Sequence, residues 1–287
     1  MPTSPVLPDF DAFLDQPYGD RQMIAFVDRE VFEKAEEVAD GSGKSTEWQW
    51  KEALTKGTLV VLGWHGVIAV VATAVVSAWA ESRRNGLPVS LVPKEWANRL
   101  HLPPGHPRDQ ILYSALPAAP HVYAPVADFH RRAFEHKFAE ALSLLMHLGA
   151  THIRVEHEQG WDRDFSGRLS VPIPANSAVL EAGAEAGAHS GRKRNLLYEA
   201  RLNGTSSPSI PDDLVWYPHE PAWRQIASGR MNFGLENFVL KLHYEDDFNI
   251  NAGLKLKAEK AGFDLGGTFE RHETTTWTIE GTFASTS

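Results

Sequence analysis

The chain has no cysteine among its 287 residues. That removes disulfides, thiolate nucleophiles and thiolate metal sites, and it fits a reducing compartment. Positive charge is also short: 28 Lys and Arg stand against 37 Asp and Glu, a formal net charge of -9. A nucleic-acid binder needs a basic face to displace counterions from phosphate, so nucleic acid is not expected as a partner. The opening "MPTSPVLPDFDAF" has no basic stretch followed by an apolar core, and no signal peptide is read there. Internal repeats are missing, and the nearest approach to low complexity is the Ala/Gly/Glu-rich connector "AVLEAGAEAGAHSGRKRN". Neither a GxSxG elbow nor an HExxH helix occurs, so no catalytic motif and no cofactor are expected.

One stretch has the look of a nucleotide loop: "ADGSGKSTEW", with Gly43-Lys44-Ser45-Thr46. A Walker A loop needs a second glycine five positions earlier, where its backbone N–H groups wrap phosphate, and that position holds Val38. The motif must also follow a buried strand, whereas "DREVFEKAEEVAD" places Val31, Phe32, Ala35 and Val38 on one helical face. The spacing therefore reads as a helix boundary, with Thr46 and Gln49 forming a capping box for the next helix.

Beyond it lies "TLVVLGWHGVIAVVATAVVSAWA", residues 58–80, free of acidic and basic side chains apart from His65. As a helix it is roughly 34 Å long, enough to cross a hydrocarbon core of about 30 Å. Trp48, Trp50, Lys51 and Lys56 on one side, with Trp79, Arg83 and Arg84 on the other, suit a membrane interface. Gly63, Gly66, Ala69, Thr73 and Ser77 gather on one side of this helix as a small-residue face for helix packing in lipid. A buried core helix, or a strand "TLVVL" followed by a shorter helix, satisfies the same composition.

Past Gly86 the pattern becomes mixed. Residues 87–107 form a Pro-rich connector with a short helix near Lys94 to Leu100, and "QILYSAL" and "HVYAPV" are strand-like. In "DFHRRAFEHKFAEALSLLMHLGA", Asp128 caps a helix, Phe134, Phe138, Leu142, Leu145 and Leu148 form its buried stripe, and Gly149 ends it. "THIRVEH", "NLLYEARL", "ENFVLKLHYE" and "TTTWTIEGTF" read as strands, and Pro221 opens a helix between the second and third. "INAGLKLKAEKAGFDLGG" fits either a helix or a hairpin.

Thirteen histidines raise the question of a metal. His130 and His136 are six apart on a helix, His136 and Glu140 share a face without the HExxH pattern, and His152 and His157 fall on opposite faces of a strand, so no metal site is expected. His219-Glu220, among Trp216, Tyr217 and Trp223, is the candidate acid/base pair; the favoured reading is a helix start whose Glu220 complements the dipole while the aromatics pack. Arg192, Lys193 and Arg194 in "HSGRKRN" are the candidate site for a small anionic or nucleotide ligand, against the ordinary reading of a solvated basic loop.

These patterns predict an α+β fold: N-terminal helices including one long apolar helix, then a mixed or antiparallel sheet domain with one or two packed helices. The expected segments are an acidic helical region over 1–56, with 12 acidic and 6 basic residues, the apolar helix over 57–84, and the α+β domain over 87–287. In architecture the layout is similar to that of many bacterial membrane-acting effectors. The leading expectation is a self-assembling effector of cytoplasmic origin that permeabilises or conducts across a bilayer, with lipid and further copies of itself as partners. The alternative is a cytoplasmic enzyme or ligand-binding α+β protein in which residues 58–80 are a buried core element.

Overall fold

The structure, a computed structural model, describes residues 9–29, 31–32, 75, 77–161 and 196–285. In chain order the named elements are α1 (Phe10–Leu14), α2 (Tyr18–Arg21), β1 (Met23–Val27), β2 (Ser90–Pro93), β3 (Leu112–Leu116), β4 (Ala119–Pro125), α3 (Phe129–His147), β5 (Ala150–Gln159), β6 (Leu196–Arg201), α4 (Pro221–Phe233), β7 (Asn237–Tyr244), α5 (Ala252–Ala261) and β8 (Thr275–Phe283). They form an α+β fold with two four-stranded sheets. The chain divides into two compact units, the first made of Met1–Phe129 and Phe248–Arg271, the second of His130–Asp247 and His272–Ser287. The stretch from residue 87 onward thus contributes to both.

In the first unit the sheet order is β2-β1-β3-β4, with β1 parallel to β2 and antiparallel to β3. Every residue of β1 and of β3 is buried, so both strands are covered on both faces, and all but Ser114 bring apolar or aromatic side chains. On one face Ile24, Phe26, Tyr113 and Ala115 pack with Phe10, Phe13 and Trp96. Trp96 belongs to the 3₁₀ turn Lys94–Arg99, and the edge of Phe10 meets its ring at 5.1 Å and 87°. Asp9 starts α1 by accepting the Asp11 N–H at 3.0 Å. The segment "INAGLKLKAEKAGFDLGG" resolves as the helix α5, because the Asn251 side chain accepts from the N–H groups of Gly253 and Leu254 and Gly262 ends it at φ +97°. The chain then returns to the sheet, where the Asp264 carbonyl accepts the Leu112 N–H at 2.8 Å.

The second unit is wholly antiparallel, in the order β6-β5-β8-β7. β7 alternates exposed and buried residues along its whole length, the signature of a sheet with one wet face. Its inward Phe238, Leu240, Leu242 and Tyr244 join Trp277 and Ile279 of β8 and Phe134 and Phe138 of α3 in the core. Trp277 meets Phe134 edge-on at 4.6 Å and Phe138 at 5.2 Å, and its indole N–H donates to the Trp161 carbonyl at 2.7 Å. β5 and β8 approach so closely that a Cβ at Gly281 would stand 2.0 Å from the His152 carbonyl oxygen, which excludes any larger residue there. The buried Arg230 guanidinium ties α4 to its surroundings by donating to the Leu148 and Leu235 carbonyls at 3.1 and 3.3 Å.

The long apolar helix expected near the N-terminus is not found among the described residues. Among the described residues no helix is long and apolar enough to cross a membrane. Residues 58–74 and 76 lie outside the described residues, as do the "GKST" stretch and the sites Gly63, Gly66, Ala69 and Thr73. The described end of the run, Val75 and residues 77–80, belongs to a helical stretch that continues through Glu81, Arg83 and Arg84. Its apolar side faces protein: Val75 and Ala78 are each 2% exposed, and a Cβ at Gly262 would touch Ala78 at 3.8 Å. Ser77 is half-buried on the same turn. Valines and alanines that suit lipid also suit a protein interior, and Val75 and Ala78 are buried in one, with Ala78 beside the Gly262 that ends α5.

Candidate functional site

The sequence-derived pair His219-Glu220 sits in the second unit, where the chain enters α4. A buried carboxylate on α3 organises this entry. Glu140 accepts the backbone N–H groups of Val215, Trp216 and Tyr217 at 2.9, 2.7 and 2.8 Å, and so holds the chain ahead of the 3₁₀ turn Tyr217–His219. One turn back, the buried Lys137 ammonium pairs with Glu220 at 2.5 Å and donates to the His243 carbonyl at 2.7 Å. It also lies 5.3 Å from the centre of the Trp216 ring, whose N–H donates to His136 Nδ1 at 3.0 Å. Glu220 is thereby committed to an ion pair, while His219 is exposed and shares no hydrogen bond with it. Lys137 was hidden from sequence reasoning because charged residues on a helix are ordinarily solvated, and Glu140 was legible only as sharing a helical face with His136. Their shared signal is that both fall among the buried Phe134, Phe138 and Ala141 on α3.

The other sequence-derived candidates do not assemble here. Arg192, Lys193 and Arg194 lie outside the described residues. Among the described residues no group of three or more His, Asp or Glu side chains is placed to hold a metal ion.

The first unit contains a cavity of about 510 Å³. Small-molecule sites fall at roughly 300–1,000 Å³. Asp9, Ala12, Phe13 and Gln16 line it from the start of the chain, following the i, i+3, i+4, i+7 spacing of a helical face around α1. Trp79 and Arg83, one helical turn apart, face it from the stretch 77–84. Residues 88–91, at and before β2, close the side, and Phe32 and Trp96 add aromatic surface. Trp79 is fixed by an indole hydrogen bond to the Val89 carbonyl at 2.9 Å, so one wall is tied to the strand. Ser90 Oγ donates to the Asp20 carbonyl at 3.2 Å and ties α2 to the same strand.

The charges around this cavity are separated. Asp9 and Asp20 belong to the α1–α2 side, and Arg83 to the helical stretch opposite in sequence. Arg83 lies over the Trp79 ring at 5.2 Å and forms no salt bridge with a described residue. Asp9 spends one carboxylate oxygen on its helix cap. The lining combines aromatic surface with the polar side chains of Asp9, Gln16, Asp20, Arg83 and Ser90, a mixture found in ligand sites. Sequence reasoning missed it because residues some seventy positions apart, such as Asp9 and Trp79, supply its walls.

No protein-family model, curated protein or solved structure matches the chain. With no membrane-length apolar helix among the described residues, and no relative of pore or channel activity, the permeabilising, self-assembling effector reading is overturned. The alternative of an α+β protein that binds a ligand accords better with these findings.

Proposed function

We propose that this chain is a small-molecule-binding protein whose ligand occupies the first-unit cavity with an apolar, ring-containing body. The observation that carries this reading is the cavity itself: about 510 Å³, lined by Phe13, Phe32, Trp79 and Trp96 together with polar groups. Burial of apolar ligand surface supplies affinity there, and the polar groups supply orientation.

The neutral fluorophore N-phenyl-1-naphthylamine tests it. About 0.3 kcal/mol per heavy atom gives a Kd on the order of 100 μM for a molecule of this size. Ala12 and Gln16 are exposed residues that line the cavity, so Ala12→Trp and Gln16→Trp fill it from the α1 side without displacing core. Each should weaken the fluorophore at least tenfold while the thermal midpoint stays near that of the parent chain. Undiminished binding in both filled variants would overturn the proposal.

A further inference from the structure

The charges around the cavity narrow the class of ligand, given that the cavity is a binding site. We infer that it takes a zwitterionic aromatic molecule of the amino-acid class. In this arrangement the anionic end pairs with Arg83, the ammonium end with Asp20 and Asp9, and the ring lies between Phe13, Phe32 and Trp79.

Three observations lead there. First, the cavity carries both signs of charge, yet Arg83 is within salt-bridge distance of neither carboxylate, so the opposite charges stand apart instead of neutralising each other. Second, the Arg83 guanidinium is steadied by the Trp79 ring at 5.2 Å, and Trp79 is itself held by its bond to the Val89 carbonyl. A cation stacked on a ring keeps its N–H edge free for a carboxylate, and a guanidinium presents that edge as a bidentate fork. Third, the Asp20 side chain makes no hydrogen bond or ion pair with a described residue, and Asp9 keeps one oxygen beyond its cap. A ligand with only an anion would leave two carboxylates facing it, and one with only a cation would leave the guanidinium facing it. A molecule bearing both charges satisfies each side.

Four indoles that differ only in charge separate this inference from the reading beneath it: 3-methylindole, tryptamine, indole-3-propionate and L-tryptophan, each titrated by calorimetry into the full chain. Binding of 3-methylindole reports the cavity alone. L-Tryptophan should then bind about tenfold more tightly than 3-methylindole, with the two singly charged compounds between them. Arg83→Gln should lower L-tryptophan to the level of tryptamine and leave tryptamine and 3-methylindole unchanged. Asp20→Asn, combined with Asp9→Asn to retain the helix cap, should lower it to the level of indole-3-propionate. If 3-methylindole binds but L-tryptophan binds no better, or if Arg83→Gln weakens all four alike, the zwitterion inference is wrong and the cavity remains. If none of the four binds, the cavity reading falls and the inference falls with it.

Discussion

The two sheets of this protein have the same number of strands and opposite construction. β1 and β3 of the first unit are buried at every position, whereas β7 of the second alternates exposed and buried residues from end to end. A strand covered on both faces has no solvent side, so anything polar beside it must be accommodated at the margins. In the first unit those margins include residues 88–91, which border the cavity. The second unit pairs charges on its open face, where His152 meets Glu199 at 2.9 Å and Lys241 meets Glu158 at 2.9 Å, and buries others around Lys137 and Glu140. Charges that satisfy each other across a sheet surface have little left for a ligand. Arg83 and Asp20 in the first unit have partners still to find among the described residues. Other charges of the first unit are paired, as Lys94 with Asp109 at 2.6 Å and Arg99 with Asp11 at 2.7 Å, so the open ones single out the cavity.

The largest expected effects test the contrast between neighbours along a strand. In β1, Met23 and Ile24 are adjacent, on opposite faces and both buried, so truncating either to alanine should cost about 2–5 kcal/mol. In β7, Leu242→Ala should cost a similar amount, while the adjacent Lys241→Ala should change stability by less than about 0.5 kcal/mol, since its ion pair is exposed. Urea unfolding of the four variants decides it, and a large loss at Lys241 would erase the distinction.

A smaller effect sharpens the same comparison at alkaline pH. Tyr123, which donates to the Arg21 carbonyl at 2.9 Å, is pushed up by burial from 10.0 to about 12. Burial also raises Tyr18 and Tyr113 in the first unit, against Tyr198 in the second. Between pH 10 and pH 12 the folded chain keeps the Tyr123 proton that the unfolded chain has lost. Stability is therefore complete below pH 10 and falls as the pH rises toward 12, by at most about 1.4 kcal/mol per pH unit for this group. Tyr123→Phe should lose about 1 kcal/mol at neutral pH with its hydrogen bond, and should show a shallower decline above pH 10. Urea titrations at pH 7, 10 and 11 measure both, and an unchanged alkaline slope would contradict the assignment.

Legibility in the sequence follows the same division. The second unit could be read from its letters because one-sided strands imprint a period of two: Phe238, Leu240, Leu242 and Tyr244 mark β7 before any coordinates, and Pro221 marks the start of α4. β1, "MIAFV", carries no alternation because both its faces are buried, and β2 lies inside a Pro-rich stretch that reads as a connector. Length and apolarity raised residues 58–80 as a membrane helix, and neither property distinguishes lipid from a protein core. The charges of the second unit were legible only in part. Glu220 sits among aromatic residues like a catalytic group, yet the buried Lys137 claims it, and Lys137 is 83 positions away. The cavity could not be read because its residues converge only after folding.

The central claim is that ligand binding belongs to the first unit and not to the open sheet of the second. Two-dimensional ¹⁵N–¹H spectra of the full chain during titration with L-tryptophan test it most directly. Saturable shifts should gather at residues 9–20, 79–83 and 88–91 while β5, β7 and β8 stay silent. Saturable shifts confined to those three strands, or a spectrum that moves with neither L-tryptophan nor 3-methylindole, would contradict it.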